Sequence, residues 1–69
     1  MQLIRTVEEI AVLEQKIKTI YKERGDLKRG SVIIEQARMD VDYQIGPSDS
    51  SNHQLWNYHY YEALKNKIS

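Results

Sequence analysis

The sequence predicts an all-α fold: a helical hairpin followed by a third helix, forming a three-helix bundle that self-associates and spans residues 1–69 as one small domain. Three observations predict it. Apolar residues recur at helical spacing along the first third of the chain. Glycine follows the first periodic stretch and Gly46-Pro47 the second, as expected of helix ends. There is no cysteine, so neither a disulfide nor a thiolate metal site is available to hold so short a chain, which leaves packing within and between copies.

The first helix is expected over about 6–24. "TVEE" at its start is a capping box, with Thr6 accepting from first-turn amides and Glu9 reaching back. At ~100° per residue Leu3, Val7, Ile10, Leu13, Ile17, Ile20 and Tyr21 fall on one stripe. Arg5, Glu8, Gln15, Lys16, Thr19 and Glu23 fall opposite, and Glu14 with Lys18 makes a favourable pair one turn apart. Gly25 then supplies the left-handed residue that closes a helix. "GDLKRG", residues 25–30, reads as the glycine-bounded turn of a helical hairpin.

The second helix is expected over 32–45. Ala37 to Ile45 alternate apolar and polar, as a half-buried strand does, so a strand paired across a dimer is the competing arrangement. Helix is favoured on two grounds. No second strand-like run or hairpin turn offers a partner. Gln36, Ala37, Arg38 and Met39 are good helix formers, while Asp40 and Asp42 are poor strand residues. As a helix, it places Ile33, Ile34, Ala37, Val41 and Ile45 on one face and Ser31, Glu35, Arg38 and Asp42 on a polar strip. Val32, Met39 and Tyr43, with Gln36, line a further face, and a helix apolar on two sides suits packing against another chain.

The third helix is expected over 52–67, opened by a second capping box of Ser51 and Gln54. Trp56, Tyr60, Tyr61, Ala63, Leu64 and Ile68 share one arc with His53 and Asn57. Leu55, Tyr58, His59, Glu62, Lys65 and Asn66 lie on the other side. Half of the aromatic cluster is therefore core, and Leu55, Tyr58 and His59 are left as candidate contacts.

Chemistry finds little footing. His53 and His59 are six apart and point in different directions, so one helix cannot turn both onto a metal. Asp49 and His53 straddle a helix start, where Asp is expected as a cap. Asp40 and Asp42 diverge by ~200° on a helix. No phosphate loop, nucleophile elbow or Ser/His/Asp grouping can be assembled, and three short helices scarcely enclose a pocket. The expectation is accordingly no enzyme, no metal and no cofactor.

Ten basic and ten acidic side chains cancel. Lys22, Arg24, Lys28 and Arg29 cluster around the first turn but are interleaved with Glu23 and Asp26, which argues against nucleic acid. "RGD" at 24–26 matches an adhesion tripeptide, but Gly25 already has a role as a cap. No apolar run approaches the ~20 residues of a membrane span, and no signal peptide is evident. A cytoplasmic protein is expected.

What remains is protein binding: a non-enzymatic regulator or inhibitor, favoured as a homodimer, with Val32, Met39, Tyr43, Leu55, Tyr58 and His59 at the protein or oligomer interface. Two rivals are a small-ligand or nucleotide binder whose site forms between subunits from Trp56, Tyr58, His59, Tyr60 and a basic residue, and a structural piece of a larger assembly.

Overall fold

The computed structural model describes residues 5–68, in which three helices follow one another: α1 (Val7–Glu23), α2 (Leu27–Ile45) and α3 (His53–Ile68). The segment that alternates like a strand is helical, and no strand occurs among the described residues. Leu3, expected on the first apolar stripe, lies outside them.

The predicted capping box opens α1. The Thr6 hydroxyl accepts from the Glu9 amide at 3.1 Å, and the Glu9 carboxylate accepts from the Thr6 amide at 3.3 Å. At the other end Gly25 adopts φ 74°, the Gly25 amide donates to the Lys22 carbonyl at 3.0 Å and the Asp26 amide to the Tyr21 carbonyl at 2.7 Å. These two bonds close a Schellman motif and supply acceptor partners that a helix end otherwise leaves unmet.

That motif corrects the expected turn. Residues 25–30 are not a loop: the reversal is complete by Asp26, whose carbonyl already accepts from the Arg29 and Gly30 amides at 3.1 and 3.4 Å. Helix α2 therefore begins at Leu27 rather than 32. Gly30 is not a turn glycine either. It is buried, and a Cβ there would lie 3.1 Å from the Tyr21 Cβ, so its missing side chain sets how closely α2 approaches α1.

Gly46, at φ 100°, ends α2 with its amide on the Asp42 carbonyl at 2.8 Å. The expected Ser51–Gln54 box does not open α3. The Asp49 carboxylate instead accepts from the Ser51 amide (2.8 Å), the Ser51 hydroxyl (2.7 Å) and the Asn52 amide (3.2 Å). Asn52 answers by accepting from the Asp49 amide at 2.7 Å, and its carbonyl takes the first helical bond, from Trp56. A carboxylate with several acceptor sites can gather three donors at once, which a serine hydroxyl cannot. The Ser51 hydroxyl bond, then the two amide bonds, hold the Asp49 pKa below its ordinary value.

The core joins Ile10, Leu13, Ile17 and Tyr21 of α1, Ala37 and Val41 of α2, and Tyr60 and Leu64 of α3. Each pair of helices is in contact. Ile20, Ile33, Ile34, Ile45, Trp56 and Ile68 pack around this cluster half-buried, so the three predicted core stripes hold. The exceptions are Val7 and His53, which are exposed; just before α1 it is Arg5 that lies against α3. Two other expectations fail for a common reason. Glu14 accepts a short hydrogen bond from the Tyr60 hydroxyl instead of pairing with Lys18. Asp42, expected on the water-facing strip, is half-buried and accepts from Trp56 Nε1 at 2.9 Å. A buried indole N–H or phenol O–H needs an acceptor, and the nearest carboxylate is drawn inward.

Candidate protein-interaction surfaces

Two groups of side chains face away from this core. On α2 the residues opposite Ala37 and Val41 are Val32, Gln36, Met39 and Tyr43, separated by 4, 3 and 4 positions and so stacked in one row. All four are exposed, Met39 by 59% and Tyr43 by 95%. The structure thus brings Val32, Met39 and Tyr43 together along one helix face, as the pattern predicts. Nothing among the described residues covers a tyrosine left so fully in water, and its ring gives up almost none of the area that aromatics ordinarily bury.

On α3 the outward group is Leu55, Tyr58 and His59, with Leu55 exposed and the other two half-buried. The Tyr58 and His59 rings meet edge to face at 5.3 Å. Tyr58 leans toward α1, where the Arg5 guanidinium stands 6.0 Å from its ring and 4.8 Å from that of Tyr61. Arg5 also approaches Glu9 and Glu62 at 3.9 and 4.0 Å, and its buried Nε finds no hydrogen-bond partner among the described residues. The guanidinium thus stands between the two rings, as a cation over π faces, and the two carboxylates. The six predicted contact residues accordingly form two patches rather than one. The four residues of the row on α2 are all exposed, whereas in the α3 group Tyr58 lies against Arg5.

The sequence pattern does not single out Arg5, because the helical wheel puts it opposite the apolar stripe. Its signal was the surplus of tyrosines on the third helix, which a cation can cover as well as an aliphatic residue can. Leu27, the first residue of α2 and half exposed, falls outside the helix that the sequence predicts from residue 32.

Trp56 and Tyr60 do not join either patch. Their rings stack at 4.8 Å inside the bundle, and both polar ends are taken, by Asp42 and Glu14 respectively. Burial first, then the hydrogen bond to Glu14, pushes the Tyr60 pKa well above its ordinary value, so the phenol stays neutral. An open groove of about 610 Å³ runs along α1 to the start of α2, lined by Gln15, Lys18, Thr19, Lys22, Glu23 and Leu27. It is a surface trough with both charge signs on its walls, and no nucleophile or general base is set against another group there. Among the described residues no three His, Asp or Glu side chains are grouped to hold a metal, and no helix is long and apolar enough to cross a membrane.

Comparison with known proteins finds no matching family model, no similar curated protein and no matching solved structure.

Proposed function

We propose that the protein is a non-enzymatic protein-binding module, a regulator or inhibitor of another protein, which works as a homo-oligomer. The carrying observation is the row Val32–Gln36–Met39–Tyr43, which stands outside a core that is complete without it. A bundle needs one apolar face per helix, and a second on α2 adds nothing to its own stability. Interfaces draw their affinity from a few large aromatic and thioether anchors within a polar rim, and this row has that composition, flanked by Glu35 and Asp40. Leu55, Tyr58 and His59 offer a second such patch on α3. The cysteine-free composition suits a reducing compartment, and we place the protein in the cytoplasm on that ground.

The reading of a ligand site between subunits is weaker, because Trp56 and Tyr60 already have internal partners and would have to give up hydrogen bonds to enter it.

Site-specific photocrosslinking tests the proposal. A benzophenone side chain replacing Met39 or Tyr58 should yield protein adducts in the native cell, whereas the same group at Lys16, on the polar side of α1, should yield none. Absence of adducts from both positions would end the interaction reading.

A further inference from the structure

We propose that the occupant of the α2 row is a second copy of this chain, with the two α2 helices packed antiparallel about an axis between Gln36 and Met39. The inference rests on the interaction reading above and deepens it by assigning the α2 row to the homo-oligomer seam, which leaves the α3 patch for another protein.

Three features of α2 carry it. The 4-3-4 spacing of Val32, Gln36, Met39 and Tyr43 is the a/d repeat of a two-helix seam. In the antiparallel register Val32 meets the other copy's Tyr43 at both ends, a small side chain against a large one, and Gln36 meets Met39 on either side of the axis. The two Gln36 amides then lie near each other, and an amide is both donor and acceptor, so it can pair with its own copy.

The charges point the same way. Helix α2 has no acidic residue in its first turn and no basic residue in its last. Its first turn instead carries Lys28 and Arg29, and Asp42 lies one turn from its end. This runs against the helix dipole, whose positive end favours anions and whose negative end favours cations. Among the described residues neither Lys28 nor Arg29 forms an ion pair, and no cation pairs with Asp42. The N-cap Asp26 is the one carboxylate at the start of α2 and caps no amide with its side chain, so a lone α2 remains cationic in its first turn and anionic near its last. In the antiparallel pair, Lys28 and Arg29 come level with residues 47 and 46 of the second copy. There they face its C-terminal carbonyls and stand within about one turn of its Asp42. Both mismatches are relieved at once, and the two dipoles oppose each other. A parallel pair would set Lys28 and Arg29 against themselves.

Sedimentation equilibrium of the full chain across micromolar to millimolar concentration should show the mass doubling. Met39→Glu and Tyr43→Glu should each weaken that association at least tenfold while leaving far-UV circular dichroism unchanged, since both side chains are exposed. Direction can be read directly because the chain has no cysteine. Val32→Cys mixed with Tyr43→Cys under air should give the mixed disulfide, while Val32→Cys alone should not cross-link. Its two sulfurs would be ~16 Å apart along the antiparallel seam, well beyond disulfide reach. A Val32→Cys homodisulfide signifies a parallel seam and overturns the proposal, as does dimerisation indifferent to Met39→Glu and Tyr43→Glu. A chain monomeric throughout also overturns it. In that event benzophenone adducts to a different protein from position 39 would leave the interaction reading standing, and their absence from positions 39 and 58 would remove both.

Discussion

Two side-chain hydrogen bonds, Trp56 to Asp42 and Tyr60 to Glu14, tie α3 to its neighbours, beside the Lys67–Asp40 ion pair at 3.0 Å. Each is a polar handle on an otherwise apolar ring, and each leaves a charged acceptor half-buried. Removing the acceptor strands the donor, which costs more than the bond itself contributes. Asp42→Ala should therefore lower unfolding stability by about 1–3 kcal/mol in urea titration, and Asp42→Asn, which keeps an acceptor, by less. The single tryptophan makes the change visible as a shift in emission. Tyr60 adds a pH dependence. Its pKa is raised in the folded chain, first by burial and then by Glu14, so folding favours the neutral phenol. Stability from this group is full below the unfolded tyrosine value of about 10 and is lost as pH rises toward the folded value. Tyr60→Phe should be less stable than the parent at pH 7 and should lose stability less steeply above pH 10. Equal slopes would mean that the phenol is not held neutral by its surroundings.

Among the elements, α2 shows best what a sequence discloses and what it withholds. Its inner face, Ile33, Ile34, Ala37 and Val41, is legible because burial imposes a period, and so is its outer row, because exposed apolar residues break the polar pattern. Its start is not. Gly25 and Gly30 look alike on paper, yet one supplies a positive φ at a helix end and the other a missing Cβ at a helix crossing, a difference set by Tyr21 on another helix. The opening of α3 differs from its pattern for a related reason: Ser51 and Gln54 fit a box, but the Asp49 carboxylate takes both the amide and the hydroxyl of Ser51 that the box would use. Arg5 escaped because its stacking on Tyr58 and Tyr61 depends on where α3 lies. The contact at Gly30 carries its own expectation. Helix propensity alone would make Gly30→Ala stabilising by roughly 1 kcal/mol. The added methyl, however, meets the root of the buried Tyr21 side chain, which cannot swing aside as a flexible tip would. Gly30→Ala should thus be destabilising on balance, by about 1 kcal/mol, and Gly30→Val more so. A rise in the thermal midpoint for Gly30→Ala would show that the helices separate easily there.

For the molecule as a whole, the decisive quantity is how little the interior can lose. A chain of this length is expected to be stable by only about 3–10 kcal/mol. Its fully enclosed centre rests on few side chains, with Ile17, Ala37 and Leu64 at 0% exposure, one from each helix. Leu64→Ala would remove the α3 member of that set and leave a space the short helices can only partly close, at about 2–5 kcal/mol. That is a large share of the total, so the variant should be substantially unfolded by circular dichroism at 37 °C. By contrast Leu55→Ala, on the exposed side of the same helix, should change stability by less than about 0.5 kcal/mol. If the α2 rows pair, association adds a stabilising contribution that grows with protein concentration. The thermal midpoint of the parent should then climb as the sample is concentrated, that of Met39→Glu should stay level, and Leu64→Ala should regain helix at high concentration. A Leu64→Ala chain that is fully folded when dilute would mean that α3 is not what closes the core.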